Sequence, residues 1–346
     1  MTTAHALLEE FYGPAAVVSI SEVTTPGRVG SFSQVELAEI RQDGETRRVI
    51  VRGGGRQGPF QQPEDAARQL LWYSRVSGLP RHPRVLATAV IDDAGHWRRL
   101  SGTARIAVIE EFVDGVPYAN DLTDIRGGRS VTEHDHRRAA DLARYLAEIH
   151  RDRHVDRVAH LRGLRELVGG AEGIMSVIGL YPPEFRQRHR TLLDRLQSVI
   201  FERVIELQSV VRPVAQVHGD FHPGNILFTA ADELHVIDRG RTERDEPMVD
   251  IGALLVNYLA LGVPGTGLGQ TFLNEYLAGT GDQDASTVLP VHTAMRVAAV
   301  ASPAFYPDLD EDHRVAILAG GITIAQRRTL TPDDLDGCAE RMRRLP

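Results

Sequence analysis

The sequence predicts an α+β protein in two parts, a small β-rich N-lobe of residues 1–113 and a larger, mainly helical C-lobe of residues 114–346. Three observations lead there. The first part alternates short apolar, β-branched runs with turn residues and reads β-β-β-α-β-β. From about Val116 the apolar spacing changes to threes and fours, the period of helices. Near residue 220 a polar, glycine-containing motif interrupts the helical pattern and is flanked by short strand-like runs.

The elements follow in order. Residues 3–12 read as a short helix. Residues 15–23, 34–40 and 47–52 read as strands, the last two joined through Asp43-Gly44, a strong hairpin signal. Between the first two strands, residues 24–31 carry Gly27 and Gly30, which permit close approach to a ligand. After Gly53-Gly54-Gly55 the pattern at 63–77 is helical, and strands follow at 84–92 and 105–112. In the C-lobe, residues 137–150 place Ala139, Leu142, Ala143, Leu146 and Ile149 on one helical face. Residues 184–210 read as one long helix with Phe185, Leu192, Leu196 and Ile200 among its apolar positions. Further helices are expected at 251–261, 269–277, 291–301 and 314–327, with loops at 263–269 and 308–312.

Composition narrows the classes. With 42% hydrophobic and 25% charged residues the chain is an ordinary globular protein. A net charge of −8 argues against a nucleic-acid partner, which needs a basic footprint. The single cysteine, Cys338, excludes an intrachain disulfide. No signal peptide and no membrane span are read in the sequence, so a cytoplasmic protein is expected. The chain has no lysine; all 39 basic residues are arginine.

The motif is His218-Gly219-Asp220-Phe221-His222-Pro223-Gly224-Asn225, with Asp238 thirteen residues after the asparagine. Phosphoryl transfer needs positioning, metal ions and a group that accepts a hydroxyl proton. Asp220 can be that base or orienting carboxylate. Asn225 and Asp238 offer hard oxygens of the kind Mg²⁺ takes alongside phosphates and waters. A turn at 229–233 between two short buried strands would bring Asn225 and Asp238 side by side. Read singly, each residue has a plainer role: Asp220 and Asp238 as turn carboxylates, Asn225 as a turn residue, His218 as a loop brace and His222 as a solvated histidine.

These residues resemble the aminoglycoside phosphotransferase and choline kinase superfamily, which has the protein-kinase-like fold. Its HGDxxxxN, IDxx and D(L/I)xxL patterns are matched at residues 218–225, 237–240 and 250–254. Leu146-Ala147-Glu148-Ile149-His150 is similar to its LAxLH helix end, and residues 108–115 look like its interlobe hinge. Val49-Ile50-Val51-Arg52 looks like its third strand, where the phosphate-pairing Lys or Arg sits. The resemblance implies an ATP- and Mg²⁺-dependent kinase of a small-molecule alcohol. Asp220 is then the catalytic carboxylate, and Asn225 and Asp238 the metal ligands. Arg52 contacts the α- and β-phosphates with Glu64 orienting it, and the backbone of Glu111, Phe112 and Val113 meets adenine. Asp250 caps a helix and braces the loop. Arg239 stands where an aromatic is common, and it and Arg241 are open to reading as surface charges or anion contacts.

The acceptor is expected between the catalytic loop and the helices of residues 250–330. Aminoglycosides, macrolides, choline and sugars are all acceptors in the superfamily. An aminoglycoside or related amino-sugar alcohol is favoured by the acidic Glu246, Asp250 and residues 308–312. Two rivals come from other classes. The His-x-Asp-x-His run with Asp238-Arg239-Gly240 imitates a metallophosphoesterase, although the remaining signature residues are absent. A catalytically silent binding module is the other, motivated by the missing lysine.

Overall fold

The computed structural model describes residues 3–14, 16–23, 35–52, 80–91, 105–239, 244–261 and 265–343. The chain divides into two compact units, residues 1–115 with 229–241, and residues 116–228 with 242–346.

In the first unit, helix α1 (Thr3–Tyr12) accompanies five strands: β1 (Val17–Glu22), β2 (Val35–Gln42), β3 (Glu45–Arg52), β4 (Val85–Ile91) and β5 (Arg105–Glu111). They form one sheet in the order β1-β2-β3-β5-β4, and every neighbouring pair is antiparallel. The β2–β3 hairpin turns at Asp43 (φ 52°) and Gly44 (φ 81°). Two left-handed residues in a two-residue loop make the turn whose twist matches the strands, which Asp-Gly suits. Leu7 and Leu8 of α1 pack on Ala38, Ile40, Val49, Val51 and Ile109. Alternation along β3 therefore sends Val49 and Val51 to this core and Ile50 and Arg52 to the opposite face. The expected glycine loop at 24–31 and the helix at 63–77 lie outside the described residues.

Strand β6 (Gly115–Pro117) leads into the second unit. Its helices are α2 (Tyr118–Arg126), α3 (Glu133–Ile149), α4 (Arg157–Gly169), α5 (Ile174–Gly179), α6 (Pro183–Arg188), α7 (Arg190–Leu207), α8 (Met248–Ala260), α9 (Leu268–Thr280), α10 (Ala285–Val300), α11 (Glu311–Ala325) and α12 (Leu335–Arg341). The remaining strands are β7 (Arg153–His154), β8 (Val214–Gln216), β9 (Ile226–Thr229), β10 (Leu234–Val236) and β11 (Arg244–Asp245), of which β10 falls in the first unit. Strand β8 lies between β7 and β11 in a small antiparallel sheet.

Helix α8 is buried along its whole length, which suits a helix apolar on all sides. Gly252 lets it approach α10 closely, since a Cβ there would stand 2.8 Å from the His292 carbonyl carbon. The face predicted on α3 is buried at all five positions. No helix among the described residues is long and apolar enough to cross a membrane.

The single helix expected over 184–210 is two. The chain leaves helical geometry at His189 (φ −108°, ψ 26°), whose ring hydrogen-bonds Glu311 at 2.7 Å. Of the expected apolar positions Phe185, Leu196 and Ile200 are buried, while Leu193 takes the place expected of Leu192. Leu193, Leu196, Ile200, Val204 and Leu207 are buried, and Leu192 is only half-buried. The acidic stretch expected to be a loop ends at Asp310, whose carboxylate accepts the His313 amide at 2.7 Å and caps α11.

Candidate active site

Strand β8 delivers the chain to His218, and the second unit then holds the next three residues from several sides. Asp250, in the first turn of α8, is fully buried. Its carboxylate accepts the amides of His218 and Gly219, each at 2.7 Å, and bonds His150 Nε2 at 3.1 Å. A carboxylate only accepts, so His150 donates from Nε2. Its Nδ1 is 2.9 Å from the Tyr276 hydroxyl, accepting from it when the ring is neutral, and that oxygen accepts from Arg153 at 2.9 Å. Burial pushes the Asp250 carboxyl up, but the hydrogen bonds from His150 and the His218 amide outweigh it and hold it below its ordinary value. Gly219 has φ 84°, a conformation costly for any side chain. Phe221 is fully buried and stacks on Tyr145 of α3 with centroids 5.8 Å apart.

Asp220 therefore projects from a fixed loop, its side chain 14% exposed. The Asn225 amide nitrogen donates to the Asp220 carbonyl at 3.1 Å. Asn225 is 1% exposed, and its Oδ1 accepts no hydrogen bond. A buried oxygen without a partner fits a hard-cation ligand, as does the chemistry of the amide carbonyl. His218 and His222 each use Nδ1 to accept an amide, from Asp220 at 3.3 Å and Gly224 at 3.1 Å. Those nitrogens serve the loop, contrary to a His-x-Asp-x-His metal site. No cluster of three or more His, Cys, Asp or Glu able to hold a metal occurs among the described residues.

The expected nucleotide-facing residues fall in the first unit. Arg52 is 8% exposed and paired with Glu110. The register aligns Ile50 with Glu110 and Arg52 with Val108, so Arg52 and Glu110 are diagonal neighbours on one face of the sheet. Arg52 Nη1 also stands 3.7 Å from Asp238 Oδ1. Asp238 adopts φ 64°, which aspartate tolerates better than most side chains. Burial holds the nearby His82 below its ordinary pKa against the pull of Glu110, and Arg239 and Arg52 add to the lowering. Glu111 ends β5, where its carboxylate takes Arg84 at 2.8 and 3.0 Å. Phe112 follows with the Arg48 guanidinium 4.5 Å from its ring centroid, and Val113 is half-buried. Glu64 lies outside the described residues.

Several readings are corrected. Glu110, inside the stretch expected to be the hinge, is 2% exposed and paired with Arg52. Arg239 is not a surface charge but 2% exposed. Glu246 is buried and bidentate on Arg212 at 3.0 and 3.1 Å, so neither it nor Asp250 is presented to a cationic acceptor. Sequence reasoning missed Arg296 of α10, whose Nη2 donates to the Gly219 carbonyl at 2.9 Å and whose Nη1 lies 3.6 Å from Asp220 Oδ1. Only the fold brings that helix to the motif, 77 residues away in the chain.

A β-rich lobe, a mainly helical lobe and a braced HGDxxxxN loop together define a protein-kinase-like phosphotransferase of small molecules. The chain belongs to the phosphotransferase enzyme family, whose model matches residues 37–289. Solved structures of similar fold include a microcompartment-associated aminopropanol kinase, at 17% identity over 100% of both chains with a TM-score of 0.53. Another is the aminoglycoside phosphotransferase APH(2")-IIa in complex with gentamicin, at 14% identity over 94% of this chain and 96% of that one, TM-score 0.53. A third is choline kinase LicA from Streptococcus pneumoniae, at 14% identity over 94% and 99%, TM-score 0.51. At these identities the likeness concerns the fold. The comparison with individual curated proteins gave no match.

Proposed function

We propose that the protein transfers the γ-phosphate of ATP to a hydroxyl of a small molecule, with Asp220 as the catalytic carboxylate. The observation that carries the reading is Asn225. Its Nδ2 is anchored on the carbonyl of Asp220 and its Oδ1 is buried with no hydrogen-bond partner. That ties an oxygen suited to a cation directly to the residue that would receive the acceptor.

Asp220 orients the acceptor hydroxyl and takes its proton as the new O–P bond forms and the bond to the ADP oxygen breaks. Asp250 keeps the loop from shifting under that change in charge. Arg52, steadied by Glu110, neutralises the α- and β-phosphates with a planar fork in place of a lysine's point charge. The hinge backbone of Glu111, Phe112 and Val113 receives adenine. Asn225 and Asp238 would hold Mg²⁺, which when bound orients the phosphates and offsets their charge.

For the acceptor, we favour an aminoglycoside or related amino-sugar alcohol. Aminopropanol and choline, named for two of the similar kinases, and gentamicin, bound to the third, share a cationic nitrogen and a hydroxyl. Glu246 and Asp250 lend this class no support, being engaged inside the protein.

The test is ADP release from Mg·ATP across a panel of aminoglycosides, amino sugars, choline, macrolides and nucleosides. Asp220→Asn should abolish release while a thermal shift with Mg·ATP persists. Near-normal turnover in that variant removes Asp220 from the mechanism. Transfer confined to acceptors without a cationic nitrogen overturns the acceptor class alone.

A further inference from the structure

We infer that Arg296 is a positioning residue for Asp220, holding the catalytic carboxylate from the acceptor-side helix α10. The inference rests on the role proposed for Asp220.

Gly219 is held at both ends of its backbone. Asp250 of α8 accepts its amide at 2.7 Å, and Arg296 of α10 donates to its carbonyl at 2.9 Å. These side chains come from two helices that pack on each other at Gly252. Together they hold the one left-handed residue of the loop, φ 84°, immediately before Asp220. A rotation at that residue would swing the carboxylate, so pinning both its peptide groups sets the direction in which Asp220 points.

The same guanidinium reaches the carboxylate itself. Arg296 Nη1 is 3.6 Å from Oδ1, and on the other side His222 Nε2 is 3.7 Å from Oδ2. Both separations exceed a hydrogen bond. A carboxylate offers about four lone-pair sites, so flanking groups at this range leave it able to accept from a hydroxyl. The Arg296 charge steers the carboxylate plane, with the neutral His222 ring presenting Nε2–H on the opposite side. Arg296 is 9% exposed, so its charge is only weakly screened by solvent. An arginine suits the place because one planar group serves the carbonyl and the carboxylate together. A lysine would supply the charge with a single point of contact.

The nearby Tyr306 belongs to the same surroundings. Its hydroxyl donates to Asn257 Oδ1 at 2.9 Å, and burial followed by the charge of Asp220 raises its pKa. Arg296 thus stands where α8, α10 and the segment after α10 meet the catalytic carboxylate.

Kinetics of Arg296→Gln and Arg296→Lys test this, with Mg·ATP hydrolysis to water as the probe reaction. Melting temperature and the Mg·ATP thermal shift are followed alongside. Misplacement of a reacting group by about an ångström costs on the order of 100-fold. Arg296→Gln should therefore lower kcat for ADP release by about 10–100-fold while KM for Mg·ATP and the nucleotide thermal shift stay near wild type. Arg296→Lys should recover part of kcat. Turnover in Arg296→Gln within about twofold of wild type overturns the inference, as does a lysine variant no better than glutamine. If the glutamine variant does not fold, Arg296→Lys decides: kcat lowered with KM kept supports positioning, and wild-type kcat refutes it. An inactive Asp220→Asn beside a fully active Arg296→Gln sinks this inference only. An active Asp220→Asn, or a wild type that releases no ADP, sinks the functional reading beneath it.

Discussion

Asp250→Asn is the sharpest test of how the loop is held. The substitution keeps size and removes one acceptor. The native carboxylate receives two backbone amides at 2.7 Å and His150 at 3.1 Å, all without solvent. An asparagine accepts from one of the amides and turns its NH₂ toward another donor. A hydrogen bond to a charged group contributes about 1.5–3 kcal/mol, and a buried donor left unpaired costs about 1–3 kcal/mol. Together these suggest a loss of about 3–5 kcal/mol, the range for breaking a buried charged pair. For domains of about 150–250 residues that lowers the melting midpoint by roughly 6–20 °C. Scanning calorimetry at neutral pH, with ADP release in parallel, measures both consequences. The effect has a definite pH window. The folded-state pKa of Asp250 is lowered, so its contribution is present above the unfolded carboxylate pKa of about 4 and is lost as pH falls through the folded value. The gap between wild type and variant should therefore narrow in acid. A variant melting within 2 °C of wild type at neutral pH, with turnover kept (about twofold or less changed), would show that Asp250 does not hold the loop.

Two further expectations concern other buried charges. Arg212 bridges Glu246 and Asp282, and Arg153 also reaches Asp282 at 2.7 Å. Arg212→Met should cost about 3–5 kcal/mol in urea denaturation, and adding Glu246→Met should recover part because Asp282 keeps Arg153; strictly additive losses would refute the coupling. His292 of α10 is buried, and burial, with Arg212 and Arg296 nearby, pushes its pKa down to about 3. Between about pH 6.5 and that value the unfolded chain binds a proton the folded chain refuses, so stability falls with pH by up to about 1.4 kcal/mol per unit. Burial pushes Asp245 up to about 7, with opposite sign, so its burden lightens as pH falls. The observable is therefore the difference between proteins: His292→Gln should gain about 2 kcal/mol on wild type between pH 6.5 and 5, and parallel pH profiles would refute the assignment.

Local pattern sufficed for much of this protein. The Asp43-Gly44 turn, the apolar face of α3 and the spacing from Asp220 to Asn225 and Asp238 are properties of short segments, where backbone preference and periodicity act directly. The family was legible for the same reason, because its motifs are contiguous. What joined distant segments was not. Glu110 became the partner of Arg52 through strand register, which no short run of sequence encodes. His189 broke a continuous helical pattern where its ring meets Glu311, and Leu193 rather than Leu192 is buried after the break. Glu246 and Arg239 look like surface charges in sequence, and burial with specific surroundings gave them structural places instead. Arg296 carries no motif at all. Sequence alone determined which residues are proposed for the chemistry, because reactive groups and their spacing are local. Tertiary structure decided which charges surround and aim them, because a buried charge needs a partner and that partner comes from wherever the packed helices and strands place it.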